Sequence, residues 1–238
     1  IALVGESGCG KTVTSLSIIR LLAPTARINA EKMSLEGRDL LALSSEQIRE
    51  LRGKIISMIF QEPMTSLNPV YKVSKQLSEV YTTHFNMNSQ DAYLASIDIL
   101  NRVGVPSPEE RIKSYPHQLS GGLRQRVMIA IALASSPQLV IADEPTTALD
   151  VTIQAQIIEL LKDMQQKIGM SILLITHDFG VVGELADRVL VMYAGRIVEE
   201  GPFEEVFEQP LHPYTRALIN SIPGMKIQRG SRLESIRG

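Results

Sequence analysis

Apolar residues fall along this chain in two patterns: short unbroken runs that suit buried strands, and stretches at helical spacing between them. Ile1-Ala2-Leu3-Val4 is a β-rich run that flows directly into a glycine-rich loop, and behind the loop Leu16, Ile19 and Leu22 keep one helical face until Pro24. Met33 to Leu40, interrupted by Glu36-Gly37-Arg38-Asp39, reads as a hairpin. Gln47 to Leu51 reads as a short helix and Ile55 to Phe60 as a second buried strand. Pro63 and Pro69 make the segment from Glu62 to Pro69 a loop. Helical spacing then resumes through Val73, Leu77, Val80 and Tyr81, and again through Ala92, Ala95, Ile99, Leu100 and Val103 to a stop at Gly104. Ser120-Gly121-Gly122 opens a helix carrying Val127, Ile131 and Ala134. Alternation of strand and helix returns with Leu139 to Ala142, a helix through Ile157, Leu160, Leu161, Met164 and Ile168 ended by Gly169, and the strand Ile172 to Thr176. Val189 to Tyr193 and Arg196 to Val198 flank a turn at Ala194-Gly195, and short helices and loops follow Gly201-Pro202.

Strands interrupted by an all-helical insert imply an α/β fold in two subdomains. The expected division is a first part of the strand core over 1–61, a helical subdomain over 62–135, the second part of the core over 136–200, and a C-terminal stretch over 201–238. Hydrophobic residues make up 44% of the 238 and charged residues 21%, which excludes disordered and collagen-like chains. Lys+Arg is 24 against Asp+Glu 26, so there is no global basic field to hold nucleic acid or anionic lipid. Cys9 stands alone, which excludes an intrachain disulfide and a cysteine-based zinc site and suits a reducing compartment such as cytosol. The longest apolar run, Met128 to Ala134, falls far short of the roughly 20 residues of a membrane-spanning helix, so any membrane association is expected through a partner. No secretory signal pattern is present, and a buried strand with no initiator Met before it reads as the start of a piece of a longer chain.

Gly5-Glu6-Ser7-Gly8-Cys9-Gly10-Lys11-Thr12 fits G-x-x-x-x-G-K-[ST]. In that pattern glycines let backbone N–H groups turn inward around phosphate oxygens, and the following helix adds the positive end of its dipole. Lys11 would reach the β- and γ-phosphates, and the Thr12 hydroxyl would serve Mg²⁺, a hard ion that favours oxygen ligands. Such a pattern arises by chance in about one chain in a hundred of this length. Leu139 to Ala142 ends in Asp143 and Glu144, where ligands collect at the carboxyl ends of parallel strands. Asp143 suits the Mg²⁺ shell, and Glu144 suits the base that orients and deprotonates an attacking water.

With the phosphate loop, Gln61, the run Leu119-Ser120-Gly121-Gly122-Leu123-Arg124-Gln125, the Asp143-Glu144 strand, Ala148-Leu149-Asp150 and His177 in this order, the chain resembles an ABC transporter ATPase over essentially its whole length. Leu123 departs from that family's signature, which commonly has a polar residue or Met there. The resemblance implies a P-loop NTPase (RecA-like) parallel sheet core with an inserted helical subdomain. It further implies that Ser120, Gly121 and Gly122 hold the γ-phosphate of an ATP bound by the opposite subunit, so that the active unit is a dimer. Gln61 matches the glutamine that contacts Mg²⁺ and the attacking water, His177 the histidine that contacts the γ-phosphate, and Asp150 the aspartate that communicates across the dimer. His84, His117 and His212 have no partners at metal-ligand spacing and read as packing or surface residues.

Phe60 to Pro69, Tyr115-Pro116-His117, Ala142 to Thr152 and His212-Pro213-Tyr214-Thr215 resemble the oligopeptide/dipeptide/nickel importer subfamily, and Thr146-Thr147 and Met128-Ile129-Ala130 the first of its two paired ATPases. This implies an ATPase at the cytoplasmic face of the membrane with Mg²⁺ and ATP. Its implied partners are a paired ATPase subunit (a heterodimer, with a homodimer as the alternative), two permease subunits and, indirectly, an extracytoplasmic solute-binding protein. Nickel or another small solute is the alternative cargo. Arg232 to Gly238 resembles the opening of the subfamily's C-terminal extension. The family's upstream antiparallel strands and adenine-stacking aromatic are not in this sequence, so the base contact is unassigned and the 238 residues alone are expected to be poorly stable and to bind ATP weakly. A soluble ABC ATPase acting on nucleic acid would need basic arms or a long coiled-coil insert, and a P-loop kinase would have no use for Leu119 to Gln125.

Overall fold

The computed structural model of the protein describes residues 1–147 and 149–221; the expectations placed on Ala148 and on Arg232 to Gly238 lie outside them. Ala2–Val4 form β1, with all three residues buried, and the phosphate loop leads from it into α1, Lys11–Ile18. That helix stops before the full periodic stretch is used. Arg20 takes a left-handed φ of 50°, and its guanidinium donates to the carbonyls of Leu40, Leu41 and Leu43 at 2.6, 2.8 and 2.7 Å. β2, Ser34–Leu35, and β3, Arg38–Asp39, make the expected antiparallel hairpin. α2, Ser45–Leu51, starts from a reciprocal capping box between Ser44 and Gln47, and β4 spans Ile56–Ile59. The segment after Gln61, expected as a loop, holds one helical turn, α3, Pro63–Ser66. Proline fits its first position because that N–H has no helical partner to lose.

The helical stretch continues with α4, Val73–Phe85, α5, Ser89–Arg102, and the short α6, Pro108–Arg111. A 3₁₀ turn at Pro116–Gln118 precedes α7, Gly121–Leu133. β5, Leu139–Asp143, and α8, Val151–Ile168, follow, with Gly169 ending the helix at a φ of 75°. Then come β6, Ser171–Thr176, α9, Phe179–Leu185, β7, Arg188–Tyr193, β8, Arg196–Pro202, α10, Phe203–Glu208, and α11, Pro213–Asn220.

The described chain forms two units, Ile1–Ser15 with the described residues from Leu173 on, and Leu16–Ile172; the chain passes between them within α1 and within β6. In the first unit β1 lies between β6 and β7 and runs parallel to both. A strand covered on both faces has no solvent side, which is why its sequence is an unbroken apolar run. β8 adds antiparallel to β7 with a bulge at Val191/Met192. α9 and α10 meet through the rings of Phe179, Phe203 and Phe207.

In the second unit β4 and β5 pair in parallel, from Ile56↔Leu139 to Ile59↔Ala142. α7 packs against β4, α4 and α5 and buries Val127, Met128, Ile129, Ala130, Ala132 and Leu133. From Val127 to Leu133 the helix is apolar all round, as in a core helix. Among the described residues no helix is long and apolar enough to cross a membrane.

Candidate nucleotide site

β1 delivers its chain into a loop that only glycine can begin. A Cβ on Gly5 would stand 2.3 Å from the Met192 carbonyl oxygen and 2.8 Å from the Cys9 sulfur. Gly8 and Gly10 take φ of 83° and 112°, open to glycine and strained for other residues. The loop is tied at three points: Cys9 N–H donates to Glu6 O at 3.3 Å, Gly195 N–H to Cys9 O at 2.9 Å, and Glu6 N–H to the Tyr214 hydroxyl at 2.9 Å. Lys11 is only 5% exposed, and its ammonium donates to Gly5 O at 2.7 Å and Glu6 O at 2.8 Å. The cation is thereby anchored to the loop it serves. Glu6, Ser7, Gly8 and Thr12 are exposed, whereas Cys9 is buried with its sulfur 3.9 Å from the Lys11 ammonium. Ser15 donates to the Thr12 carbonyl at 2.8 Å and fixes the first turn of α1.

The second cluster stands at the ends of β4 and β5. Ile59 pairs with Ala142, so two residues further on Gln61 and Glu144 leave their strands side by side. Gln61 Nε2 donates to Glu144 Oε2 at 3.0 Å, and Thr147 Oγ1 donates to the same oxygen at 2.7 Å. Asp143 is 2% exposed and Glu144 9%. Glu144 holds a φ of 45°, a left-handed conformation that costs a non-glycine residue about 1–3 kcal/mol and that collects at functional sites. From α7, the buried side chain of Gln125 donates to the carbonyl of Pro145, the next residue. In the sequence Gln125 and Thr147 figure only within runs that resemble the family, with no role assigned beside Glu144. No local pattern marks Gln125, which lies between Arg124 and Arg126 ahead of the apolar run from Val127.

Ser120 caps α7, its Oγ accepting Leu123 N–H at 3.4 Å, and is exposed. A Cβ on Gly121 would meet nothing within 4 Å, and one on Gly122 would reach Ile153 Cγ2 at 3.2 Å. Asp150 caps α8 by accepting Ile153 N–H at 2.9 Å. His177 follows β6 and is exposed. Its neighbours are fixed, with Asp178 N–H donating to Thr176 Oγ1 at 3.0 Å and Asp178 Oδ1 accepting Gly180 N–H at 2.8 Å.

The other histidines take packing and capping roles. His117 stacks on Tyr115 with ring centroids 5.6 Å apart, and His212 caps α11 through Nδ1. Burial, and then the nearby Lys54 charge, hold the His84 imidazole below its ordinary range. Among the described residues no group of three or more His, Cys, Asp or Glu stands together as a metal centre. The Thr12 hydroxyl in the first unit, and the Asp143 carboxylate and Gln61 amide oxygen in the second, are each hard oxygen donors of the kind Mg²⁺ prefers.

Residues 1–147 match the family model described as ABC transporter, and residues 198–238 the one described as oligopeptide/dipeptide transporter, C-terminal region. The oligopeptide transport ATP-binding protein OppD of Bacillus subtilis is 52% identical over 239 residues, spanning 100% of this chain and 67% of that protein. The dipeptide transport ATP-binding protein DppD of Haemophilus influenzae is 53% identical over 238 residues, spanning 100% of this chain and 72% of that protein. Among solved structures, a dimeric post-hydrolysis state of an ATP-binding cassette bound to ADP and Pi superposes with a TM-score of 0.74 at 25% identity, covering 85% of this chain and 84% of that one. cbiO1 from Clostridium perfringens, part of the ABC transporter complex cbiONQ, superposes with a TM-score of 0.72 at 28% identity, covering 87% of this chain and 78% of that one. The phosphate loop, the held glutamate and the Ser120-capped helix thus sit in a chain that belongs to the ABC transporter family, among the ATP-binding subunits with the oligopeptide/dipeptide transporter C-terminal region.

Proposed function

We propose that the chain is the ATP-hydrolysing subunit of an importer for peptides or related small solutes. It would work at the cytoplasmic face of the membrane on two permease subunits fed by an extracytoplasmic binding protein. The observation that carries this reading is Glu144: a buried carboxylate at a strand end, in a strained backbone, with two donors fixing one of its oxygens.

Phosphoryl transfer to water asks the protein mainly for positioning and charge stabilisation. Lys11, pre-aimed by the Gly5 and Glu6 carbonyls, meets the β- and γ-phosphates, with the N–H groups of loop 5–12 around them. Glu144 takes the proton of the attacking water, Gln61 orients that water, and His177 contacts the γ-phosphate. Thr12, Asp143 and Gln61 would hold Mg²⁺, which when bound would neutralise charge on the phosphate oxygens. Ser120, Gly121 and Gly122 face the nucleotide of a paired ATPase subunit in a heterodimer, with Asp150 relaying across that interface. Division of labour follows the sequence boundaries, with core parts over 1–61 and 136–200 serving ATP and the helical stretch 62–135 serving the paired subunit and the permease.

The test is ATP hydrolysis by the full-length chain with its paired ATPase, wild type against Glu144→Gln. Binding of ATP should persist while turnover falls about 10² to 10⁴-fold, the range of a general base. Turnover within tenfold of wild type would remove Glu144 from that role.

A further inference from the structure

We propose that the segment His212–Thr215 is a clasp on the phosphate loop and that Tyr214 is a positioning residue for nucleotide binding. The proposal rests on the ATPase reading above for its functional meaning, and on the geometry of the first unit alone for its structure.

Glu6 is gripped from both sides. Its N–H donates to the Tyr214 hydroxyl at 2.9 Å, a bond between residues 208 apart in sequence, and its carbonyl accepts the Lys11 ammonium at 2.8 Å. The aim of Lys11 is therefore set partly by a residue whose other side Tyr214 holds. The Tyr214 ring lies against Tyr193 with centroids 4.5 Å apart, and Tyr193 leads into the turn whose Gly195 N–H donates to Cys9 O at 2.9 Å. The end of the β7–β8 hairpin and α11 thus hold the loop at Cys9 and at Glu6 respectively.

α11 is itself locked in place by polar contacts. Glu199 on β8 accepts Leu211 N–H at 2.7 Å and His212 N–H at 3.0 Å. Burial would push the Glu199 carboxyl up, but the amides of Leu211 and His212 and the His212 charge help to bring it below its ordinary range. His212 Nδ1 accepts Tyr214 N–H at 3.1 Å, and Pro213 takes the first helical position, where its missing N–H costs nothing. The run thus divides the work, since His212 caps, Pro213 starts the helix, and Tyr214 reaches the loop. Burial pushes the Tyr214 hydroxyl up, with the Glu6 amide acting against it, so the group is a neutral phenol that can accept the Glu6 N–H.

The experiment uses the full-length chain with Tyr214→Phe, which keeps the ring and removes the acceptor, and Glu199→Gln, which loosens the anchor of α11. Two readouts are taken: amide hydrogen exchange of a peptide spanning the phosphate loop without nucleotide, and KM and kcat for ATP. Tyr214→Phe should speed exchange in the loop and raise KM about fivefold, as expected for one neutral hydrogen bond, with the change falling on KM more than on kcat. Glu199→Gln should act in the same direction, and the double variant should be less than additive, because both act through one contact. Wild-type loop exchange in Tyr214→Phe would overturn the clasp, as would an unchanged KM in an active enzyme. Exchange decides the clasp without any turnover, so a wild-type chain that hydrolyses no ATP would count against the proposed function alone.

Discussion

Gly121 offers a substitution in which stability and activity should part. It is the first residue of α7, its φ lies outside the left-handed region, and a Cβ placed on it finds no heavy atom within 4 Å. Among the described residues nothing therefore requires glycine there, and alanine is the better helix former by up to about 1 kcal/mol in a helix interior, less at an end. For a chain of this size about 1 kcal/mol moves Tm by about 2–4 °C, so Gly121→Ala should leave Tm unchanged or raise it by no more than about 3 °C. The demand for glycine must then come from outside the chain. If the first-turn N–H groups of α7 receive a phosphate held by the paired subunit, the new methyl stands in its approach. Loss of one preorganised donor of this kind costs about 10² to 10³-fold in rate. Melting curves and steady-state phosphate release with the paired ATPase present are the two assays, and release should fall about 10²-fold. A Tm lowered by more than about 5 °C would show that the space around Gly121 is not open. Release within threefold of wild type would show that no anion seats there.

Two further outcomes follow from buried polar groups. Gln125→Leu leaves the Pro145 carbonyl without its donor, a loss of about 1–3 kcal/mol that should lower Tm by about 2–12 °C; an unchanged melt would show that the bond contributes nothing. Because burial and Lys54 hold the His84 imidazole below its usual range, the unfolded chain takes up a proton first as pH falls. The stability His84 confers is whole above about pH 6.5 and is lost as pH drops through its folded value. His84→Gln should therefore flatten part of the fall in Tm below about pH 6.5, and an identical slope in wild type and variant would refute this.

Most strands and helices were legible because their apolar spacing is regular and their ends carry caps, as with Ser120 before α7 and Gly169 after α8. The early stop of α1 was not, because its cause is the reach of Arg20 to carbonyls about twenty residues away, which no local pattern encodes. The helical turn at Pro63–Ser66 hid behind prolines that read equally well as loop punctuation. Motif chemistry picks out individual candidate residues, but their mutual contacts depend on register. Gln61 and Glu144 are 83 residues apart and meet because β4 and β5 pair in parallel. Tyr214 stayed hidden for the same reason at longer range, its partner lying 208 residues away in the phosphate loop.

Within the second unit these contacts also link two sites that look separate in the sequence. The helix whose first turn carries Gly121 and Gly122 carries Gln125 just beyond it, and Gln125 is bonded to the carbonyl that directly follows Glu144. Glu144 is already strained, at a φ of 45°, and its carboxylate is set by Gln61 and Thr147. Strained positions persist only while their surroundings over-determine them, so a small displacement of α7 acts on a residue with little margin. The first turn of α7, proposed to seat a phosphate, and the carboxylate proposed to activate water are thereby joined by one helix and one buried hydrogen bond. Gln125→Leu should for that reason lose hydrolysis even at a temperature where its fold is intact. Full turnover in a well-folded Gln125→Leu chain would mean that α7 and Glu144 act independently.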